Sequence, residues 1–413
     1  MSPTTGERML PSENHPTPTV FAGLDVGKSF HHLCALTADG KRVYDRKVDN
    51  DEIELRTVLT QLLQRGPVLL VVDQPAGIGA LPLAVARDLG VDVAYLPGLA
   101  MRRIADLHPG QSKTDARDAY VIADAARTLP HTLRRASVSD ATLAELTVLL
   151  GYDDDLANET TRLTNRARDL LMNISPALER ALGPRITHPA VRALITQFPT
   201  PELLRAADPD HVAALLRANA PRIHTTIHTE VTQALGAQTV VIPGTTAAGR
   251  VLTSIIRQLD ATLTERTQLL TELENGLDAH PLGKVLTSMP GVGVRTALKL
   301  LTIIGDGAAF PTAGHLAAYA GLAPVTRRSG TSIRGESPSR RGNRALKSAL
   351  FLSAFAALKD PASRAYYDKK RAEGKRHNAA LICLSRRRVD VLHAMLRTGQ
   401  RYRSPTPNTA RAA

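Results

Sequence analysis

The chain has 413 residues, 43% of them hydrophobic but only 3% aromatic, with no tryptophan. That length predicts two or three domains around an aliphatic core, and the scarcity of rings argues against binding single strands mainly by base stacking. The formal net charge is +13, from 52 Lys and Arg against 39 Asp and Glu. The excess is confined to one end. Residues 284–413 hold 24 Lys and Arg against 6 Asp and Glu, whereas residues 1–283 hold 28 against 33. So one-sided a field attracts polyanions, with DNA or RNA the natural candidates. The bland alternative is a basic solubilising tail, but the same third carries an ordered apolar pattern. Cys34 and Cys383 are far apart and imply neither a disulfide framework nor a zinc site. No run of 18 apolar residues is present, and the polar, Pro-rich residues 1–19 lack a signal-peptide centre. Those residues read as a disordered lead-in to a cytoplasmic protein with no membrane partner.

In chain order, Phe21 to Val26 is a short apolar strand ending at Asp25, and His31 to Leu36 and Arg42 to Val48 are further strands. Asp51 to Arg65 has helical apolar spacing and stops at Gly66-Pro67. Val68 to Val72 is a continuous apolar strand, as in the buried middle of a sheet, and it too ends in an aspartate, Asp73. A helix over Ile78 to Leu89, a strand over Val91 to Leu96 and a helix over Asp115 to Leu129 complete an α/β domain, residues 20–135. Residues 136–283 change character. Leu149, Leu156, Leu163 and Leu170 recur every seven residues. Residues 252, 256, 259, 263, 270, 273 and 277 are apolar at coiled-coil spacing, with Arg266 the one interruption. Two such helices pack antiparallel within a chain or pair between chains. Residues 184–245 between them read as a helical insertion or cap. Residues 284–400 form a mostly helical last domain, and the basic residues 401–413 a disordered tail.

Three groups of residues carry chemistry. Asp25, Asp73, Asp115 and Asp118 come first. If the strands ending in Asp25 and Asp73 are neighbours, both carboxylates emerge at one sheet edge, where α/β sites lie. Asp115 and Asp118 share a face at the start of a helix. Four such carboxylates repel unless hard cations sit among them, and Mg²⁺ takes oxygen ligands of this kind. Two metals could stabilise the attacking and leaving oxygens of an in-line phosphoryl displacement. Taken singly, Asp73 is also readable as a turn residue and Asp115 as a helix cap. Lys113 beside them would neutralise the cluster or touch a phosphate.

The second group is Gly321 to Lys347, where Ser329 and Gly330 stand among Arg327, Arg328, Arg334, Arg340, Arg341, Asn343, Arg344 and Lys347. A serine hydroxyl needs activation to act as a nucleophile, and arginines could hold the scissile phosphate. The alternative is a basic loop that grips phosphates with Ser329 as filler. The third is Pro290-Gly291-Val292-Gly293 followed by an apolar helix, which fits a helix-hairpin-helix. There Gly291 and Gly293 would let backbone N–H groups approach a phosphate. An ordinary Gly-rich helix connection is the alternative.

Together these residues resemble the insertion sequence 110 family of transposases, the DEDD type that includes the Piv DNA invertases. The resemblance rests on Gly23-Leu24-Asp25-Val26, Lys113-Thr114-Asp115-Ala116-x-Asp118-Ala119, Pro290-Gly291-Val292-Gly293, Ala320-Gly321-Leu322-x-Pro324, Ser329-Gly330 and Arg341-Gly342-Asn343, in that order over nearly the whole chain. It implies a RuvC-like, RNase H-type N-terminal domain, a coiled-coil region and a transposase domain. It implies that Asp25, Asp73, Asp115 and Asp118 bind Mg²⁺ (or Mn²⁺) and that Ser329 forms a covalent phosphoserine link to double-stranded DNA. It further implies dimers or tetramers guided by a non-coding bridge RNA. Asp73 stands where the family often has Glu, one methylene longer. The rival readings are a junction-resolving metal nuclease that uses water, and a non-catalytic nucleic-acid scaffold.

Overall fold

The computed structural model describes residues 16–74, 77–108, 114–135, 141–329, 333–337, 339 and 341–404. The chain divides into two compact units, Met1–Asp140 and Ala141–Ala413.

The first unit is a six-stranded mixed sheet with helices. Its strands are β1 (Val20–Asp25), β2 (Phe30–Thr37), β3 (Arg42–Asp49), β4 (Val68–Val72), β5 (Asp92–Tyr95) and the two-residue β6 (Arg134–Arg135), in the order β3-β2-β1-β4-β5-β6. β1, β4 and β5 run parallel, and β2, β3 and β6 are antiparallel to their neighbours. The helices are α1 (Glu52–Leu63), α2 (Ala80–Asp88), α3 (Gly98–Ala105) and α4 (Asp115–Thr128). α1 starts where Asp51 accepts the Ile53 and Glu54 amides, as an N-cap should. Its buried residues Leu55, Leu59 and Leu62 join Leu24, Leu33 and Leu70 in one core. On α4, Val121, Ile122, Ala125 and Ala126 pack with Val71, Ala94 and Leu96 in a second core.

The second unit is built on two long helices, α5 (Ala141–Ile174) and α11 (Thr245–Ala279), packed antiparallel within the chain. Leu146 and Leu150 share a core with Leu269, Leu273 and Leu277 at one end. Leu163, Ala167 and Leu171 share another with Leu252, Ile256 and Leu259 at the far end. The short helices α6 (Pro176–Leu182), α7 (Pro189–Gln197), α8 (Pro201–Ala206), α9 (Pro209–Asn219) and α10 (His224–Ala237) cap that far end.

The heptad leucines are not the seam. Leu163 is buried, but Leu149, Leu156 and Leu170 are half-buried, and the buried stripe of α5 runs through Leu146, Leu150, Asp153, Leu163, Ala167 and Leu171. On α11, Leu269 rather than Leu270 is buried. The interruption at Arg266 has a partner: its Nε donates to Asp153 Oδ1 at 3.2 Å.

The near end of the pair continues into α12 (Gly283–Thr287), α13 (Val294–Ile304), α14 (Ala313–Tyr319), a hairpin of β7 (Val325–Ser329) and β8 (Ile333–Ser337), then α15 (Arg344–Ala356), α16 (Pro361–Ala372) and α17 (His377–Thr398). Its core crosses residue 283 without a break, since Leu273 and Leu277 pack with Leu286, Leu298 and Leu392. Asp153, with its side chain 2% exposed, also takes Arg295 of α13 at 2.6 Å. One buried carboxylate thus ties three helices together.

Candidate functional site

The acidic residues are positioned by strand register. β1 and β4 are parallel neighbours with Leu24 opposite Val72. Asp25 closes one strand and Asp73 follows the other, so both lie at the same sheet edge. α4 lies across β1 at Gly23: a side chain there would strike the Ala119 carbonyl and the Ala123 amide. At the far end of α4, Arg127 Nη1 donates to the Ala38 carbonyl at 3.5 Å, beside the start of β1, where Val20 pairs with Thr37. α4 therefore runs antiparallel to β1. Asp115 lies four residues before Ala119, about 6 Å along the helix, and Asp25 lies two residues past Gly23, about 7 Å along the strand. The helix thus brings Asp115 and Asp118 to the edge that carries Asp25 and Asp73.

Local chemistry supports each element. The α4 cap is Thr114, whose Oγ1 accepts the Arg117 amide at 3.3 Å. Asp115 is therefore free of the capping role and exposed, while both aspartates of the first turn complement the positive helix end. Burial pushes the Asp73 carboxyl up from its ordinary range, opposed by backbone groups of Val26, Asp73 and Gln74. Its Oδ1 is buried with no hydrogen-bond partner. An orphaned buried carboxylate oxygen beside Val26 fits a cation ligand. Among the described residues, no three His, Cys, Asp or Glu side chains stand close enough to hold a metal ion as placed. A divalent cation would have to draw the four carboxylates together.

The turn after Asp25 is held from two sides, which sequence reasoning missed. The Gly27 amide donates to His31 Nδ1 at 3.2 Å, and Asn50 Nδ2 donates to the Lys28 carbonyl at 3.1 Å. His31 is fully buried, and burial lowers its pKa, opposed by Asn50. A neutral ring keeps Nδ1 as an acceptor.

Ser329 is the last residue of β7, paired with Ile333. Four residue steps from Val325 place it about 13 Å from the base of the hairpin. That base is built from the motif residues. Gly321 and Gly342, at φ +67° and +111°, cross so closely that a side chain on either would strike the other's segment. The Asn343 amide donates to the Tyr319 carbonyl at 2.8 Å. Asn343 Oδ1 caps α15 by accepting the Leu346 amide at 2.9 Å, and its Nδ2 donates to the Tyr319 hydroxyl at 3.2 Å. Lys347 Nζ donates to the Ser339 carbonyl at 3.1 Å. Arg341 and Arg344 are exposed. Arg327, Arg328 and Arg334 lie on the hairpin strands. Lys113, Gly330 and Arg340 lie outside the described residues.

The Pro290–Gly293 turn joins α12 to α13. Gly291 has φ +76°, and a side chain on it would strike the Ser353 carbonyl and the Ala357 amide of the α15 end. Helix packing therefore demands this glycine, whereas nothing lies within 4 Å of a side chain on Gly293. Arg388 of α17, 5% exposed, donates to the Pro290 carbonyl at 2.5 Å and to Ser353 Oγ at 2.7 Å. Burial pulls its pKa down to about 10. No local signal separates Arg388 from Arg386 and Arg387.

Two family models match the chain: one described as a transposase over residues 22–176, and one of the IS116/IS110/IS902 transposase family over residues 283–368. The uncharacterized 43.6 kDa protein of insertion element IS110 from Streptomyces coelicolor is 55% identical, over 94% of this chain and 96% of that protein. The chain belongs to the IS110 family of transposases. The mini-circle putative transposase for IS117 from the same organism is 31% identical over 93% of this chain and 95% of its own length. The pilin gene-inverting protein of Moraxella lacunata is 35% identical over 29% of this chain and 38% of that protein. The first model covers the acidic edge of the transposase and the second its serine hairpin. No helix among the described residues is long and apolar enough to cross a membrane.

Proposed function

We propose that this transposase cuts and rejoins double-stranded DNA through a covalent link at Ser329, assisted by an RNase H-type acidic edge. The convergence of Asp25, Asp73, Asp115 and Asp118 on one sheet edge, through the β1–β4 register and the direction of α4, carries the reading. Those four carboxylates would hold Mg²⁺ (or Mn²⁺), which supplies Lewis-acid stabilisation of the phosphoryl oxygens when bound. Ser329 Oγ would attack the phosphorus, its proton lost and one gained by the strand's own oxygen, which leaves as a hydroxyl. The phosphoserine ester conserves the energy of the broken bond, and a hydroxyl of the incoming strand later displaces Ser329. No ATP is needed. The basic last third would hold both DNA and a structured bridge RNA from the element, in dimers or tetramers.

The test is covalent trapping. Protein, element RNA, Mg²⁺ and labelled element-end DNA are run on a denaturing gel. A protein–DNA adduct lost in Ser329→Ala and in Asp115→Ala is the expected result. Cleavage without an adduct that survives Ser329→Ala would mean a water-using metal nuclease. Mixing Asp115→Ala with Ser329→Ala protomers asks in addition whether the two halves can come from different subunits, in which case the adduct returns.

A further inference from the structure

We propose that the α16–α17 hairpin carries a second grip on duplex DNA, made by Lys369, Arg371, Lys375 and Arg376. It is distinct from the basic stretch around Ser329. The proposal rests on the transposase reading only for the choice of DNA as the polyanion.

Residues 364–376 contain six Lys and Arg against two acids, Asp368 and Glu373. Both acids are already engaged: Asp368 with Arg364 at 2.9 Å and Glu373 with Lys370 at 2.7 Å. Lys369, Arg371, Lys375 and Arg376 are exposed. Among the described residues, none of these four has a carboxylate within ion-pair distance. Lys369 and Lys375 nevertheless crowd the same Glu373 carboxylate as Lys370 does. Four like charges within eight residues around one turn, none of them in an ion pair among the described residues, repel one another, and an external polyanion relieves that repulsion.

The platform beneath them is firm. Tyr367, Ala380, Leu381 and Leu384 form a core with Ala354. The Tyr367 hydroxyl lies 2.7 Å from His377 Nδ1 across the turn, and Gly374 makes the turn at φ +82°. The Tyr366 ring has Lys370 at 5.6 Å and Arg387 at 4.7 Å. Two cations already lie against that ring, which disfavours stacking by an unpaired base. The chemistry left is contact with phosphates, which fixes position on a duplex without reading its sequence. The matched family model ends at residue 368, just before the cluster.

The test uses the full chain, a random-sequence duplex and fluorescence anisotropy over a salt series without divalent cation, so the result is independent of the adduct assay. One variant combines Lys369→Gln, Arg371→Gln, Lys375→Gln and Arg376→Gln. Its control combines Arg217→Gln, Arg222→Gln, Arg250→Gln and Arg257→Gln, which are exposed residues of the helical insertion and α11 and give the same change in net charge. The slope of log affinity against log salt should become shallower by about 0.9 per lost phosphate contact, about 3–4 in all. The control should keep the wild-type slope. The double variant Lys375→Gln, Arg376→Gln should move the slope about half as far. Equal losses in hairpin and control variants would overturn the proposal. So would an unchanged DNA slope accompanied by a loss of affinity for an RNA duplex of the same length.

Discussion

Gly23→Ala tests the acidic edge without touching a carboxylate. The added methyl would stand inside contact distance of the Ala119 carbonyl and the Ala123 amide, and 3.0 Å from Ala123 Cα. All three are backbone atoms, so no rotamer change relieves the overlap. Restoring ordinary contact near 3.5 Å moves α4 outward by about 1 Å. Overpacking of this kind costs about 1–3 kcal/mol, a fall of roughly 3–10 °C in melting temperature. Asp115 and Asp118 move with α4 while Asp25 and Asp73 stay with the sheet. Misplacing reacting groups by about 1 Å lowers rates by up to about 10²-fold. The measurement is the rate of adduct formation at fixed Mg²⁺, well below the variant's melting temperature. Gly151→Ala is the control, since nothing lies within 4 Å of a side chain there. It should keep the wild-type rate and gain up to about 1 kcal/mol of helix stability. A Gly23→Ala protein with both wild-type rate and wild-type melting temperature would refute the placement of α4 on β1.

Further outcomes follow from the buried polar groups. Burial raises the Asp73 pKa in the folded state, so the penalty for ionising it is absent below the unfolded pKa and grows as pH rises through the folded value. Asp73→Asn should therefore melt higher than wild type at pH 7 without metal and lose the stabilisation that Mg²⁺ gives wild type. For Asp153, burial opposes ionisation, but Arg295 and Arg266 more than offset it and lower the pKa. Its contribution is present above the unfolded pKa and lost as pH falls through the lower folded value. Asp153→Asn should cost about 1–3 kcal/mol at pH 7, discounted for the partly exposed guanidiniums, and flatten the acid limb of stability in urea titrations. Arg388→Met leaves the Pro290 carbonyl and Ser353 Oγ unpartnered and should cost about 2 kcal/mol or more in thermal unfolding; an unchanged midpoint would show that both find other donors.

The strands and the acidic edge were legible because their signals are local. A continuous apolar run ending in Asp73 marks a buried strand and its exit. The helix start at Asp115 is legible too, but the cap the sequence offers there is Asp115, whereas the structure gives that place to Thr114. The adjacency of β1 and β4 was a condition in the sequence reading, and the register meets it. On α11 the spacing marks the seam well, with Leu252, Ile256, Leu259, Leu273 and Leu277 all buried; on α5 the leucine heptad does not, because it counts hydrophobic residues, whereas Ala167 and the ion-paired Asp153 also face inward. Arg266 read as a flaw because its partner lies 113 residues away in sequence. For Gly291 the sequence offers a phosphate approach or an ordinary Gly-rich helix connection, and only the position of α15 reveals what fills the space beside it. Long-range partners of this kind leave no periodic trace.

α5 departs and α11 returns side by side, so the chain enters and leaves the helices between them at one place. That stretch is an insert, and any replacement would have to cover Leu163, Leu171, Leu252 and Ile256 as it does. The far-end core and the core around Leu286 and Leu298 are separate, so exchanging residues 175–244 for another self-contained fold would change what the end of the helix pair meets. The serine hairpin, the α12–α13 turn and the Asp153 linkage would stay as they are.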